Sequence, residues 1–418
     1  MVDGGPKAAP GRRYDRRVDA QSSFLHPIAS GWQATEGSVG GPNYDEFVDD
    51  QAIAASLARR PGSVVALDLP NHTVPALDQD LDFAASLPLA VQQLARMKDE
   101  GLYQPVTDAL FGYEMAEPDG HLVRGLIGLV RTDEFSDAAD QAGRILRNED
   151  VSAGKVAERQ QHIDALGHLL STVLLIPARQ QQDYDELLDR AFTALPDEPL
   201  VADLDDRGVS HRLWQLDGAQ FRSYLNGNEF LVADGNHRSR ASQLSGSAWC
   251  LVTVASAGGL RIEPYHRLLR TPDLGADQLR QRITGAGVPL TEVSAPATDN
   301  DTDNFLYAGG GRWYRLELPA PDGDRVVDAL PHSVVEQRIF VDALGLGPAA
   351  KEISYVGGWA SRAYLIEEVD AGRATAALLL RPVTMAEFTA INAARQYMPR
   401  KSTWFMPKAR AGLVLAEI

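Results

Sequence analysis

The chain has 418 residues, 44% of them hydrophobic, and its 57 acidic residues outnumber its 40 lysines and arginines, giving a formal net charge of −17. This length predicts two or three domains, and the apolar content is sufficient for the core of a globular enzyme or binding protein. The acidic balance argues against DNA, RNA or anionic lipid as a partner, because phosphate groups attract a basic surface. We therefore expect a protein that binds a small molecule and has neither a nucleic acid nor a membrane as a partner.

The cysteine content and the hydropathy of the sequence exclude further classes of protein. Cys250 is the only cysteine of the sequence, so neither an internal disulfide nor a cysteine metal cluster can form. No apolar run reaches the roughly 20 residues that a membrane-spanning helix needs. Residues 1–19 are rich in Gly, Pro and Arg and lack the apolar stretch of a signal peptide. These features predict a flexible N-terminal extension over 1–21 and a cytoplasmic protein.

Hydrophobic periodicity and turn residues predict the elements in chain order. The predicted strands lie at 64–68, 122–130, 212–216, 229–233, 249–255, 260–269, 313–318 and 376–380. The predicted helices lie at 86–98, from 155 up to Pro177, and at 239–244, 334–344 and 385–397. Residues 295–304, rich in Asp, Thr, Pro and Ala, are predicted to be a loop or a domain boundary.

The predicted strands and helices interleave without a regular βαβ rhythm, which indicates a mixed α+β fold. We predict a core over 22–271, which holds an anion site, and a second α+β region over 272–418. The last segment of the second region is predicted to return to the cleft of the core.

The sharpest local pattern is FLVADGNHRSRA at 230–241, where an apolar strand ends in Asp234-Gly235 and a helix begins at once. The first backbone amides of a helix lack partners and carry the positive end of the helix dipole, so they attract phosphate. Gly235 allows the backbone to approach a ligand closely or to adopt a positive φ. This pattern favours an anion site.

Three side chains of this turn carry the chemistry. Arg238 can grip phosphate oxygens in two places, and His237 can add a donor. Asp234 can cap the helix, hold Arg238, or bind a magnesium ion that accompanies the phosphates. The alternative is a tight turn with Asp234 as the cap and Arg238 in solvent, and the spacing alone favours neither interpretation.

At this point the sequence resembles a known family, catalogued as domain of unknown function 1015. ADGNHR at 233–238 is similar to the family's ADGHHR signature, and to the phosphate-binding box of the ParB/sulfiredoxin-like fold. Five further motifs resemble the family in the same order: PNYD at 42–45 (PPYD), NEDV at 148–151 followed by Arg159 (HExT…R), GVSHRLW at 208–214 (GxxHxLW), PYHRL at 264–268 (PTHRL) and MPRKSTWFMPK at 398–408 (MPPKSTYFYPK).

The resemblance implies a core of ParB/sulfiredoxin-like type and a nucleotide site. Relatives with this box include free serine kinases, which move a phosphoryl group from ATP or ADP to the hydroxyl of L-serine. Others are ParB-type CTP-binding proteins and sulfiredoxins. Two histidines of the family pattern are replaced here, by Asn148 and Asn236. Since asparagine can still donate to phosphate, these replacements bear on the identity of the substrate more than on nucleotide binding.

The resemblance also implies a set of site residues. The phosphate and nucleotide ligands it implies are Asp234, Gly235, Asn236, His237, Arg238, Ser239, His266, Arg267, Lys401, Ser402 and Thr403, with Asp234 also on the metal. His211, Tyr44 and Arg159 are the implied substrate contacts. A structural role remains the alternative for several of these residues: an ion pair for His266 and Arg267, a solvated charge for Arg159, and core packing for His211 and Tyr44.

Phosphoryl transfer also needs a base for the hydroxyl proton, and a carboxylate is the expected choice. Glu149 ranks first because it lies in a motif, Asp45 follows, and Glu36 is a further candidate in the N-terminal part.

The leading hypothesis is therefore a kinase that uses ATP (or ADP) and Mg²⁺ to phosphorylate a small hydroxylated metabolite, with L-serine or a serine-like hydroxy acid first. The alternative is a non-catalytic, ParB-like nucleotide-binding regulator. A third hypothesis is a sulfiredoxin-like activity, but Cys250 is the only cysteine and lies in an apolar setting, which argues against it. A fourth is a degenerate scaffold that binds an anion without chemistry. A homodimer is compatible with each of these hypotheses.

Overall fold

A computed structural model describes residues 23–136, 143–271, 273–296, 302–321, 323–347, 350–358 and 360–418. The predicted N-terminal extension over 1–21 and the middle of the predicted loop at 295–304 lie outside the described residues. In the described ranges, none of the helices combines the length and the apolar content that a bilayer crossing requires.

The strands form four sheets. They are β1 (Gly31–Ala34), β2 (Tyr103–Val106), β3 (Phe111–Ala116), β4 (Leu122–Arg131), β5 (Phe135–Ser136), β6 (Ile145–Leu146), β7 (His168–Leu169), β8 (Val173–Pro177), β9 (Val201–Leu204), β10 (Ser210–Gln215), β11 (Phe230–Asp234), β12 (Trp249–Ala255), β13 (Arg261–Glu263), β14 (His266–Leu269), β15 (Leu290–Val293), β16 (Phe305–Tyr307), β17 (Trp313–Leu316), β18 (Ile353–Val356), β19 (Ala376–Leu379), β20 (Trp404–Met406) and β21 (Val414–Glu417).

Helices pack around these sheets. They are α1 (Asp50–Arg59), α2 (Val65–Asp68), α3 (Val74–Leu77), α4 (Phe83–Asp99), α5 (Ala153–Leu166), α6 (Gln181–Thr193), α7 (Arg222–Asn226), α8 (Asn236–Leu244), α9 (Ala276–Gly285), α10 (Pro331–Val334), α11 (Arg362–Asp370) and α12 (Met385–Ala393). A π-type helix over Val335–Ala343 continues α10.

The largest sheet has nine strands in the order β5-β6-β11-β8-β12-β4-β3-β10-β9. Its pairings are mixed, because the β12–β8 and β11–β6 pairs are parallel whereas the β11–β8 and β12–β4 pairs are antiparallel. All five residues of β8 are buried, as expected for a central strand covered on both faces. A mixed sheet with helices on its faces confirms the α+β prediction.

The sheets cross the predicted boundary at residue 271. A six-stranded sheet has the order β15-β17-β16-β19-β14-β18, so β14 pairs with strands that follow it in the chain. After α12 the chain runs back to the core, where β20 pairs with β13 and β21 lies between β1 and β7. This return places residues 398–408 beside the start of α8.

Two predicted elements were wrong. Residues 64–68 form the helical turn α2 instead of a strand, because a short apolar run fits either structure when it is buried. The long helix from 155 ends at Leu166, where Gly167 adopts a left-handed conformation with φ 62°. The apolar residues beyond it belong to β8, whose burial on both faces produces a continuous apolar run that also fits helical spacing.

Candidate functional site

The turn between β11 and α8 is built as the sequence predicts. The strand ends at Asp234, Gly235 has φ 96°, and the helix begins at Asn236. A Cβ on Gly235 would lie 3.2 Å from the Cα of Val173 in β8 and from Nε of Arg238. Only glycine fits here, because the conformation is left-handed and the neighbouring backbone is close.

A pocket opens at this turn and gathers residues from distant parts of the sequence. Its lining includes the sequence-predicted residues Tyr44, Asp45, Glu149, Asp234, Gly235, Asn236, His237, Lys401 and Thr403. Ala233, Tyr265, Trp404 and Lys408 complete it. Four of the sequence motifs therefore meet with the ADGNHR turn around one cavity.

Asp234 sits between two cations. Its Oδ1 accepts a hydrogen bond from Lys408 Nζ at 2.7 Å, and its Oδ2 pairs with Arg238. Burial raises the pKa of the Asp234 carboxyl, but Lys408 and Arg238 outweigh burial and hold that pKa well below its usual range. Both oxygens thus bind a cation in this structure, and the role of Asp234 as a magnesium ligand stays a prediction. Within the described part of the chain, no group of three or more His, Cys, Asp or Glu side chains is arranged to hold a metal ion.

Arg238 lies behind the turn. The residue is only 8% exposed, and its Nη1 donates to Asn43 Oδ1 at 2.8 Å and to the Thr172 carbonyl. It is absent from the described lining of the pocket. In this structure it ties the turn to the residue before β8 and to the PNYD segment, and its role as a phosphate clamp stays a prediction.

Lys401 is one of the two lysines that line the pocket. Its backbone has φ 57°, and Nζ lies 3.8 Å from Asp45 Oδ2. Burial lowers the pKa of Lys401, but Tyr265, Asp45 and Glu149 outweigh it and raise that pKa well above its ordinary value. The side chain is therefore an ammonium group at neutral pH. Ser402, in contrast, is fully buried and donates to the Pro399 carbonyl, so it does not line the pocket.

Glu149 is held beside Lys401. Its backbone bridges to Met398, and its carboxylate accepts a hydrogen bond from the backbone N–H of Lys401. Burial raises the pKa of the Glu149 carboxyl above its ordinary value, although Lys401 acts in the opposite direction. Of the other predicted bases, Asp45 lines the pocket, whereas Glu36 is exposed and lies outside the described lining.

His237 contributes a neutral ring. Its Nε2 accepts a hydrogen bond from the Ser152 backbone N–H at 3.0 Å, just before α5 begins. Burial and the charge of Lys401 lower the pKa of His237 to about 4. At neutral pH the proton therefore resides on Nδ1, which is available as a donor.

The two asparagines that replace the family's histidines touch each other. Asn236 Nδ2 lies 3.3 Å from Asn148 Oδ1, and Asn148 Nδ2 donates to the Val232 carbonyl at 2.7 Å. The remaining oxygen of Asn236, Oδ1, is buried and accepts no hydrogen bond. The replacements therefore form a linked pair at the pocket wall.

His266 and Arg267 support the pocket from behind. Arg267 is fully buried, and its guanidinium donates to the carbonyls of Tyr265, His266, Arg400 and Lys401. His266 Nδ1 accepts from the Leu380 backbone N–H at 3.2 Å. Arg267 thereby holds the backbone that presents Lys401, and the phosphate contact predicted for the pair stays a prediction.

The three residues predicted to contact the substrate lie in different places. Tyr44 lines the pocket, and its ring packs 4.3 Å from the Arg159 guanidinium. Arg159 itself is buried and pairs with Asp68 at 2.9 Å, so it is neither solvated nor in the lining. His211 is 1% exposed and bonded to the Tyr113 hydroxyl at 2.7 Å, a core position.

Ser239 belongs to the support as well. It is fully buried, its Oγ donates to the Asn236 carbonyl at 2.9 Å, and Arg147 Nε donates to that Oγ. These bonds stabilise the first turn of α8, and the phosphate contact of Ser239 stays a prediction.

Sequence reasoning missed Lys408. The residue is the last of the MPRKSTWFMPK motif, so its place in the motif is a signal that could have identified it. Its ammonium lies 4.3 Å from the Trp404 ring centre and reaches Asp234. Tyr265 and Trp404 also line the pocket, and nothing in their local sequence distinguished them from core aromatics.

Comparisons with known proteins give a family but no activity. The sequence matches the family described as a protein of unknown function, DUF1015, over residues 32–335. No curated protein matches the chain. Among solved structures, a mutant free serine kinase in complex with AMP has 11% identity and a TM-score of 0.39, covering 67% of this chain and 87% of that one. A conserved hypothetical protein from Pyrococcus furiosus has 13% identity and a TM-score of 0.38, covering 69% and 95%.

A C-terminally truncated SbnI from Staphylococcus aureus has 12% identity and a TM-score of 0.38, covering 68% of this chain and 84% of that one. Similarity at this level carries no functional conclusion. The family match spans more than half of the sequence, and the chain therefore belongs to the DUF1015 family of proteins of unknown function.

Proposed function

We propose that the pocket binds the phosphates of ATP or ADP and transfers one phosphoryl group to the hydroxyl of a small metabolite, with L-serine or a serine-like hydroxy acid as the first acceptor. One observation carries the proposal. The start of α8, the Lys401 ammonium and the Glu149 carboxylate all line the same pocket. A phosphate-binding half and a proton-accepting half are thus in reach of one ligand.

The phosphate half combines three sources of positive charge. The first amides of α8 point out of the helix start, where the dipole favours an anion. Lys401 adds a full charge, and Lys408 adds a second one that is partly neutralised by Asp234. Neutral His237 can donate from Nδ1 without competing for protons. Together these groups suit the polyphosphate of a nucleotide.

The acceptor half rests on Glu149. In the proposed step, this carboxylate takes the proton of the acceptor hydroxyl while the hydroxyl oxygen attacks the terminal phosphorus. The bond from that phosphorus to the bridging oxygen breaks, and the shortened nucleotide leaves with the electron pair. The raised pKa of Glu149 makes it a stronger base than a solvated glutamate.

The pocket offers one carboxylate that suits Mg²⁺ beside the bound phosphates. Since Asp234 is occupied by two cations, Asp45 is the pocket carboxylate that would hold the ion together with the phosphate oxygens. The ion would supply charge neutralisation on the phosphates. The choice of serine as first acceptor rests on the resemblance of the ADGNHR turn to the box of free serine kinases, not on the pocket.

The test is turnover on the purified protein with Mg²⁺ and ATP, ADP or CTP against hydroxy-amino acids and hydroxy acids, with product mass as the readout. We expect a phosphorylated acceptor, and at least about a hundredfold loss of rate in Lys401→Met, because such clamps act on the transition-state charge. Lys351→Met, at an exposed position, is the matched control.

Two outcomes would redirect the proposal. Nucleotide-dependent thermal stabilisation that disappears in Lys401→Met, without any acceptor product, would favour the regulator over the kinase. Unchanged turnover in Lys401→Met would remove this pocket as the place of transfer.

A further inference from the structure

A second cavity lies across the strand-like contact between Glu149 and Met398. Its volume is about 830 Å³, which falls within the roughly 300–1,000 Å³ of small-molecule sites. Asp150 and Met398 line this cavity, whereas Glu149 and Lys401 line the candidate site. Among the residues that the structure describes, the two linings share none, so these are neighbouring sites with a common wall.

One wall of the second cavity is a helix of rare geometry. Val335–Ala343 continues α10 as a π-type helix, and Glu336, Phe340 and Val341 of this helix line the cavity. π-type turns are uncommon and are frequently found at functional sites. The irregular helix and the cavity therefore coincide in space.

Glu336 gives the cavity its chemical character. Among the described lining residues, it alone has a buried side-chain oxygen, Oε1, that accepts no hydrogen bond. The arginines of the lining already have acidic partners: Arg325 with Asp328 at 2.7 Å, Arg338 with Asp342 at 3.4 Å, and Arg395 with Glu229 at 3.1 Å. A buried carboxylate oxygen without a donor is unfavourable, and a ligand that brings a cationic donor would satisfy it.

One part of the remaining wall is apolar, and polar residues such as Ser333, Gln337 and Gln396 line the other part. Val334, Phe340, Val341, Leu346, Met398 and Pro399 face the same space. These side chains offer contact area to a hydrocarbon or aromatic group but no hydrogen bonds from their side chains. The lining thus places the Glu336 carboxylate beside an apolar patch, inside a chain whose net charge of −17 attracts cations. Arg267 and Arg400 act on this carboxylate by charge, but its Oε1 still accepts no hydrogen bond.

We infer that this cavity is a second ligand site, which takes a small organic amine with its ammonium group on Glu336 and its apolar body against Phe340 and Met398. The inference does not depend on the proposed phosphoryl transfer, because it uses none of the residues of that pocket.

The experiment is isothermal titration calorimetry of the full chain with phenethylamine and tyramine, and with 2-phenylethanol as a neutral molecule of similar shape. We expect the amines to bind at least about tenfold more tightly than the alcohol, because a hydrogen bond to a charged group is worth roughly 1.5–3 kcal/mol. Glu336→Gln should lower amine affinity by a similar factor. Glu367→Gln, which removes the same charge at a side chain that is 72% exposed, should leave it unchanged.

Val341→Trp gives an independent check, because this residue is 43% exposed and a larger side chain can fill the cavity without disturbing the core. Amine binding should disappear while the circular dichroism spectrum is retained. The inference is overturned if neither amine binds, if Glu336→Gln binds as the native chain does, or if ATP displaces the amine, since displacement would place it in the other pocket.

Discussion

Glu149 lies half-buried in the pocket wall, and the desolvation of its carboxylate raises its pKa. As a base it must be ionised, so activity should fall as the pH is lowered through this raised pKa. We expect Glu149→Gln to lower kcat by about 10² to 10⁴ and to leave nucleotide affinity within about twofold, measured by turnover and by calorimetry. Asp150→Asn, the exposed neighbour, is the control. An equal loss in both variants would contradict a role as base.

The same residue makes a prediction about stability. A carboxyl whose pKa is raised on folding binds protons more readily in the native state, so its contribution to stability is greatest below the unfolded pKa and is lost as the pH rises through the folded pKa. Glu149→Gln removes the ionisable group, so we expect the variant to be at least as stable as the native chain at pH 7. The difference should shrink as the pH falls to about 4. Thermal unfolding across this range measures it, and a variant that is less stable at pH 7 would show that the ionised form is favoured.

Asp234 shows how one carboxylate can hold a site together. Its side chain is 19% exposed, and those of its partners Lys408 and Arg238 are 9% exposed. Asp234→Asn leaves two buried cations without their counterion, so we expect a loss of about 3–5 kcal/mol in the free energy of unfolding.

Urea unfolding measures this loss, with Asp206→Asn as the matched control. Asp206 pairs with Arg59 on the surface, where its side chain is 65% exposed, and an exposed pair contributes roughly 0–1 kcal/mol. Similar losses in the two variants would mean that the Asp234 pairs are solvated in solution.

At the scale of elements, the β11–α8 turn depends on Gly235. Gly235→Ala must adopt a left-handed backbone and also place its Cβ 3.2 Å from the Val173 backbone. Gly246, just after α8, has φ 76° but open space around it. Both variants incur the left-handed strain of about 1–2 kcal/mol. The difference between their free energies of unfolding therefore measures the crowding of the added Cβ.

We expect Gly235→Ala to lose a further 1–3 kcal/mol or so and to weaken nucleotide binding, whereas Gly246→Ala should bind normally. Urea unfolding and calorimetry on both variants provide the comparison. Equal stability and equal binding would indicate that the turn relaxes away from β8 without consequence for the pocket.

At the scale of the whole molecule, the two ends of the described chain form one sheet. β21 lies between β1 and β7, and it follows directly from the segment that carries Lys401 and Lys408. We expect Leu415→Asp, at a fully buried position of β21, to prevent folding, because an unpaired charge would enter the core. Ile418→Asp, at a residue that is 47% exposed, should change stability by less than about 0.5 kcal/mol.

Circular dichroism and size-exclusion chromatography distinguish the two variants. A folded Leu415→Asp chain with unchanged melting would contradict the central place of β21, and with it the route by which residues 398–408 reach the pocket.

The sequence by itself determined the acidic character, the α+β class and the strand-turn-helix at 230–244. These follow from composition or from contacts between residues close in the chain: an apolar run, then Asp-Gly, then a helix start. The same local signal could not separate α2 from a strand, or the end of α5 from the start of β8, because a buried apolar run fits both periodicities.

Only the tertiary structure decided which basic residues face the pocket. Arg238, Arg267 and Lys401 all lie in motifs, and each has the chemistry of a phosphate ligand. Their roles differ because of partners that are distant in sequence: Asn43 and Thr172 hold Arg238, and the carbonyls of Arg400 and Lys401 hold Arg267. Lys401 and Lys408 reach the site because β21 pairs with strands of the core and so places the C-terminal segment beside it. A pairing between strands so distant in sequence cannot be predicted from the spacing of neighbouring residues.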